Sequence, residues 1–344
     1  MGEGTQVVTI RQIAEHCGVS ASTVSKALNG ALDVGQETAL RIRKVAEELG
    51  YMPNSAARAL KTRRTYSFGI FYSAAVEEGL THEFFARVLN GFKTRSEELG
   101  YDIIFIGGRV GQLQITPADH AAYRSCDGVL MVSGNDGDTA VAKEISDRGI
   151  PTVCIDYAVA GCGGVLSDNV RGMGDLMRYI LARGHRRIAF IYGQDSIVTR
   201  TRVETFQKIC AEHGIDVPPE YLIRGAYHDT RGAQEATDRL LSLRTPPTCI
   251  LYPDDFSSVG GRNELERRGL TAPNDISIAG YDGISFSWAI HPMLTTVRQD
   301  AETMGRAAAG ELARMIEEGP RDGRTILVPS ELIPGETVAQ IDTK

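Results

Sequence analysis

A chain of 344 residues with a formal net charge of −7 has room for two or three domains with sizeable cores, and acidity spread evenly along it would argue against nucleic acid as a partner. The charge is not evenly spread: residues 1–64 hold nine Lys and Arg against six Asp and Glu, leaving 28 against 38 for the remainder. A basic amino-terminal module on an acidic body fits one end that meets phosphates and a body that avoids them.

The six cysteines, Cys17, Cys126, Cys154, Cys162, Cys210 and Cys249, are scattered with no C-x-x-C pair and no set of Cys and His at the spacing of a four-ligand metal site, so they read as reduced thiols and not as a disulfide or metal framework. No apolar run approaches the roughly 18 residues of a membrane span, and the amino terminus lacks the charged and apolar regions of a signal peptide. The expected location is the cytoplasm.

In chain order, the first element is a helix from Thr9. Ile10, Ile13, Ala14 and Cys17 recur at helical spacing, and Thr9 with Gln12 fits a capping box. Gly18 can take the positive φ of a tight reversal, and Ser20 is a good N-cap for a second helix carrying Val24, Ala27 and Leu28 inward. Two short helices joined by a Gly turn make a helix-turn-helix. The second would expose Ala21, Ser22, Ser25, Lys26 and Asn29 on the face a major groove meets. A third helix, Gln36 to Leu49, is expected to bury Leu40, Val45 and Leu49 and close a small three-helix unit. Pro53 and Asn54 then stop this helix. Ser55 to Lys61 is long enough for one short helix exposing Arg58, Leu60 and Lys61, too short to hold without a partner.

From Tyr66 the pattern becomes α/β. FGIFYS reads as a strand, Phe84 to Leu99 as a helix, and DIIFIG, DGVLMVSG, IPTVCID, RRIAFIYG, CILYP and DISIAGYD as further strands with helical stretches between them. Short buried runs alternating with helices imply βαβ units, enough for two doubly wound parallel-sheet subdomains. Such sheets bind ligands at the carboxyl ends of their strands, so two facing subdomains make a cleft. No P-loop, G-x-G-x-x-G, HExxH or G-x-S-x-G pattern occurs; no nucleotide or other cofactor, no metal site and no enzymatic activity is expected.

TVSKALN, ELGYMPN and ARALK resemble the headpiece and hinge of the lactose-repressor (LacI/GalR) family of bacterial transcription regulators. SDNVRGMGDLMRYILARGHRRIAFI, PDDFSSVGGRNELERRGLTAPNDISIAGYDG and HPMLTTVRQD resemble that family's effector-binding body, itself similar to periplasmic sugar-binding proteins. The resemblance implies a headpiece at 1–52, a hinge helix and linker at 53–65, and an effector-binding and dimerisation domain at 66–344. The last would divide into roughly 66–165 plus 293–324 and 166–292 plus 325–344. It further implies a homodimeric repressor on a pseudo-palindromic DNA operator, controlled by a small carbohydrate-like effector in the cleft. The carboxyl-terminal PGETVAQIDTK lacks the leucine heptads that build tetramers in some relatives, which favours a dimer.

Carried over residue by residue, Ala21, Ser22 and Lys26 match the base-contacting positions, and Thr9, Ser20, Thr23, Ser25 and Asn29 are candidates for phosphate contact. Lys26 can donate to guanine O6 and N7, whereas Ala21 offers only a methyl group. Leu60 matches the leucine that wedges open the operator's central step in the minor groove. For the effector, Arg202 matches the arginine that grips the ligand and Asp282 an acidic residue that accepts from it. Phe84 and Phe85 stand where relatives place aromatics, with one of the two expected to face the cleft, and Tyr157 and Tyr227 occupy wall positions. Asp254 stands where relatives usually carry Asn, adding a negative charge that would select against acidic ligands. A cytoplasmic sugar-binding or sugar-modifying protein with an incidental, non-specific helical amino terminus is the alternative reading.

Overall fold

A computed structural model describes residues 8–31, 33–52, 64–73, 79–132, 138–319 and 323–341. The chain divides into two units, residues 1–65 and 66–344. Arg58, Leu60 and Lys61 of the expected hinge lie outside the described residues.

In the first unit, helix α1 (Ile10–Cys17) is started by the expected capping box: the Thr9 N–H donates to Gln12 Oε1 at 2.8 Å and the Gln12 N–H to Thr9 Oγ1 at 3.4 Å. Gly18, at φ 62°, ends it in the left-handed conformation that a Cβ disfavours. Ser20 caps helix α2 (Ala21–Leu28) through the Thr23 N–H at 3.1 Å. Helix α3 (Gln36–Glu48) closes a core of Ile13, Ala14, Cys17, Val24, Ala27, Ile42 and Ala46. Val45 and Leu49 pack against this core as expected, but Leu40 does not: it is 65% exposed. Ile42 takes the inward position, and two residues further along a helix is a rotation of about 200°, which turns Leu40 to the solvent.

The second unit holds two parallel sheets. In the first, strands β1 (Ser67–Tyr72), β2 (Asp102–Ile106), β5 (Gly128–Val132), β6 (Thr152–Ile155), β7 (Gly163–Ser167) and β13 (Thr325–Val328) lie in the order β13-β7-β6-β5-β1-β2, the short β3 (Arg109–Val110) and β4 (Leu113–Gln114) forming a separate hairpin. Both faces are covered, and β5 shows why its sequence is continuously apolar. Leu130 and Val132 enter one core with Phe68, Phe92, Met304 and Leu312, while Val129 and Met131 enter another with Ile145 and Cys154. The second sheet has the order β11-β10-β8-β9, from β8 (Ile188–Tyr192), β9 (Leu222–Arg224), β10 (Cys249–Leu251) and β11 (Ser277–Ala279).

The lobes exchange chain near residues 168, 300 and 329. Helix α7 (Asn169–Ala182) packs on the second sheet, α12 (Ala301–Glu318) returns to the first, and β14 (Ser330–Ile333) pairs antiparallel with β12 (Thr296–Gln299). This moves the expected boundaries. Thr325–Val328 belongs to the first lobe because it completes that sheet beside Gly164–Ser167, and Val297 belongs to the second because it packs with Phe190 and Tyr281. Residues 335–341 close the second lobe, with the Ala339 N–H donating to Ser277 Oγ at 2.9 Å. Among the described residues, no helix is long and apolar enough to cross a membrane.

Helix α4 (Glu83–Glu98) meets α12 backbone to backbone. A Cβ on Gly91 would come within 2.1 Å of the Glu302 carbonyl oxygen, and one on Gly305 within 1.9 Å of that of Val88. Gly305→Ala is therefore expected to lower stability by about 1–3 kcal/mol by forcing the helices apart. Gly310→Ala on the same helix meets nothing within 4 Å and should raise stability by roughly 0.5–1 kcal/mol. Denaturant midpoints of the two variants check both signs.

Candidate functional site

In the amino-terminal unit, α2 leaves Ala21, Ser22 and Lys26 exposed on one side, while Val24 and Ala27 face the core. The small polar residues around it are held in place. Ser20 Oγ lies 2.8 Å from both Ser22 Oγ and Thr23 Oγ1, and Asn29 Nδ2 donates to the Ser25 carbonyl at 2.6 Å. Lys26 is not free: its ammonium meets Asp33 Oδ2 at 2.5 Å, and this contact holds the Asp33 carboxyl below the usual carboxylate range. Nothing in the sequence pattern singles out Asp33. Asp33 lies beyond Leu28, where α2 ends, so helical spacing does not place it beside Lys26, and the turn at Gly30 (φ 72°) is what brings it back.

In the body, the start of α7 and the loops after β10 and β11 converge on Arg202, in helix α8 (Ile197–Glu212). Its side chain is 3% exposed. Nε donates to Asn169 Oδ1 at 2.7 Å and Nη1 to the Pro253 carbonyl at 3.1 Å, the guanidinium lies 3.6 Å from the Tyr281 ring centroid, and Nη2 sits 3.9 Å from Asp282 Oδ1. Burying a guanidinium costs several kcal/mol unless each donor finds a partner, so this set of acceptors fixes its orientation. Asp282 adopts φ 101°, and Gln299 Nε2 donates to its Oδ1 at 2.6 Å. Burial pushes the Asp282 carboxyl up, against the pull of Arg202.

Two further carboxyls share this environment. Asp156, at the end of β6 with φ 64°, is pushed up to about 6 by burial, with Arg202 acting in the opposite direction and Asp282 reinforcing the shift. Asp255 is raised well above the ordinary carboxyl range by burial and by Asp282, and it accepts from the Ile284 N–H at 2.9 Å and Thr296 Oγ1 at 2.5 Å. The lobes also touch directly. Glu83 accepts from the Ser285 N–H at 2.8 Å and its hydroxyl at 2.9 Å, and the His82 and His228 rings lie 3.9 Å apart. Burial, then His228, lowers His82 to about 3, so its imidazole is neutral.

Comparison with known proteins gives this architecture its family. Residues 9–54 match the family model for bacterial regulatory proteins of the lacI family, and residues 177–338 that for the periplasmic binding protein-like domain. The probable HTH-type transcriptional repressor ExuR of Bacillus subtilis (strain 168) is 30% identical over 341 residues, covering 98% of this chain and 100% of its own. The chain belongs to the LacI family. The HTH-type transcriptional repressor PurR of Vibrio vulnificus (strain CMCP6) is 28% identical over 343 residues, at 98% and 100% coverage. The same fold occurs in the lac repressor dimer bound to operator and the anti-inducer ONPF (TM-score 0.80, 23% identity, 97% of this chain and 100% of that one). It recurs in the transcriptional regulator CelR–cellobiose complex (TM-score 0.70, 24% identity, 96% and 99%). Membership of the LacI family sets aside the reading of the amino terminus as an incidental helical segment.

Of the residues expected to bind effector in this LacI-family body, Arg202 and Asp282 come together, and Tyr227 joins them. Its hydroxyl is 2.8 Å from Thr199 Oγ1, its ring packs against Gly193, and Arg202 lies 6.0 Å from the ring centroid. Tyr157 does not join them: it packs with Ile145, Cys154 and Cys162 on the far face of the first sheet. Strand alternation would put Tyr157 on the face of Ile155, but Asp156, just past β6, takes φ 64°, which breaks the alternation and leaves Tyr157 on the Cys154 face. Phe84 and Phe85 both sit in the first lobe's core, and Phe85 alone approaches within 4.7 Å of the His82 ring centroid, against 6.5 Å for Phe84. Asp254 is fully buried and occupied: it accepts from the Ser257 N–H at 2.7 Å, the Ser257 hydroxyl at 2.8 Å and the His228 N–H at 2.8 Å. Its charge is used to hold two loops, so it is not poised as a free repulsive group.

Asp156 also gives a pH dependence. An acid whose folded-state pKa is raised binds more protons folded than unfolded between its ordinary value and about 6, so its contribution falls as pH rises through that window. Asp156→Asn is expected to raise the melting temperature at pH 8 and to lose that advantage progressively as the pH is brought down through about 6 toward the ordinary Asp value. Thermal melts of both proteins across this range check it.

Proposed function

We propose that this chain is a homodimeric, effector-controlled DNA-binding repressor whose operator affinity is set by a small carbohydrate-like molecule between the two lobes. The observation that carries this reading is the convergence of Arg202, Asp282, Asp156 and Tyr227 at the strand ends of a two-lobed body, in one chain with a helix-turn-helix that exposes Lys26. A buried guanidinium beside carboxylates offers donors and acceptors to vicinal hydroxyls, and Tyr227 and Tyr281 supply apolar faces for C–H groups. The relatives named as repressors, the operator-bound lac repressor dimer and the cellobiose-bound CelR support the same assignment. Binding alone suffices for this role, with no cofactor and no chemical step.

On the DNA side, Lys26 reads a guanine edge, Ala21 and Ser22 contribute little hydrogen bonding, and Thr9, Ser20, Thr23, Ser25 and Asn29 fix register on phosphates. Leu60 acts as the minor-groove wedge, so deformation of the operator centre supplies much of the selectivity. Effector binding alters the inter-lobe contacts Glu83–Ser285 and His82–His228, and this shift in lobe closure orders or releases the hinge. A coupling of about 1–3 kcal/mol gives useful control.

Sequencing the fragments that the purified protein retains from its own genomic DNA, near physiological salt and with or without metabolite extract, should yield a short pseudo-palindrome. Recovery of no common sequence under either condition would refute the assignment. Lys26→Ala should cost roughly 1–3 kcal/mol on that operator and relax preference at one base pair per half-site. Arg202→Ala should leave operator binding intact while abolishing response to the effector. Because Arg202 is buried, Arg202→Lys serves as the companion variant that keeps the charge, and loss of operator binding in both would make the residue structural.

A further inference from the structure

We infer that Asp33 is a specificity-determining residue of the headpiece: its carboxylate positions the Lys26 ammonium for base reading and keeps it off phosphates. This role rests on the DNA-binding function proposed for the chain. The geometry is set by how α2 ends. The Ala31 N–H donates to the Lys26 carbonyl at 3.0 Å and the Gly30 N–H to that of Ala27 at 3.2 Å, with Gly30 at φ 72°. That left-handed residue folds the chain back, Val34 anchors it on the headpiece core, and Asp33 returns to the last turn of the helix it has just left. Its Oδ2 lies 2.5 Å from Lys26 Nζ, with the two side chains 58% and 53% exposed.

A solvent-exposed ion pair contributes little to stability, so the consequence of this one lies where the ammonium works. A lysine is a flexible point charge with three protons and no preferred acceptor geometry, and it is drawn to any phosphate. Bonded to Asp33, one of its protons is committed and its position is fixed. Two protons remain, matching the O6 and N7 acceptors of guanine, so the base can be read with the ion pair intact. A phosphate also has two acceptor oxygens, but it carries a negative charge that guanine O6 and N7 lack, so meeting it with the ion pair intact would bring two anions together. Whether Lys26 keeps Asp33 or leaves it, the carboxylate then faces the phosphate backbone, and like charges repel. Asp33 thus penalises non-specific binding more than operator binding. Asp33 touches no base in this scheme and acts through Lys26.

The test uses the full-length protein, the operator recovered from genomic DNA, that operator changed at the base pair read by Lys26, and an unrelated duplex, across a range of salt. Asp33→Asn should bind the unrelated duplex up to about fivefold more tightly, the scale of an exposed ion pair. Its salt slope on that duplex should steepen by about one, as one more phosphate is met. Discrimination at the Lys26 base pair should shrink. Asp33→Glu should restore part of it, and in a Lys26→Ala background Asp33→Asn should leave base discrimination unchanged. If Asp33→Asn raises operator and unrelated-DNA affinity by the same factor, or changes neither, the inference fails while the DNA-binding reading stands. A native protein without operator preference would overturn both.

Discussion

The body is organised around one buried cation. Arg202 takes its partners from three segments that lie far apart in sequence: Asn169, directly after the first passage of chain between the lobes; Pro253, after β10; and Asp282, after β11. A guanidinium held in the interior without acceptors would be prohibitively costly, so each of these loops is constrained to deliver an oxygen to it. The Tyr281 ring lies against its face, and a Cβ at Gly172 on α7 would collide with the Tyr281 hydroxyl at 2.5 Å. Helix α7 can therefore approach only because residue 172 is glycine. The fold of the second lobe and the orientation of the groups around Arg202 are the same problem solved once.

Around this cation the carboxyls separate into two roles. Asp254 spends both oxygens on N–H and O–H donors, and Asp255 is bonded to Ile284 and Thr296; together they tie the β10 loop to its neighbours. Asp156 and Asp282 are less fully occupied and sit where burial raises both. Groups held against their preferred protonation state gain most from new donors, which is what the hydroxyls of a ligand would bring. For the carbohydrate-like effector proposed above, the cost of burying these carboxyls and the gain from donating hydroxyls would share one origin.

Much of this was legible in the residues. The capping box at Thr9 and Gln12, the reversal at Gly18 and the N-cap at Ser20 are local chemistry, and the structure places each as read. The long apolar strands were likewise visible, because parallel sheets covered on both faces leave continuous runs such as GVLMV. Strand β7 begins with two glycines and β12 and β14 are four residues long with polar positions, so their pattern carried no period to detect. The boundary near 325 failed for the same reason: which sheet a four-residue strand completes is decided by long-range pairing, not by its own sequence. Leu40 and Tyr157 were misplaced by a different route. Each sits close in sequence to the residue that takes the inward or Arg202-facing position, and apolar character alone does not tell a helix face or strand face from its neighbour.

Asp156 and Asp33 show what residue-type reasoning misses. Neither belongs to a motif, and both carry a charge that looks ordinary for an acidic chain. Each acquires meaning from a backbone reversal nearby: Asp156 from its own φ of 64°, Asp33 from Gly30 at 72° three residues earlier. In both cases the turn brings a carboxylate to an already recognisable cation, Arg202 in one unit and Lys26 in the other. The two cations differ in their exposure to water, and so in their consequences. Arg202 is buried, so its carboxylates must remain partly matched to it whether or not a ligand is present. Lys26 is exposed, so its carboxylate can be exchanged for another acceptor at small cost, and under the role proposed for Asp33 the difference between acceptors, not the strength of the pair, would determine what the headpiece distinguishes.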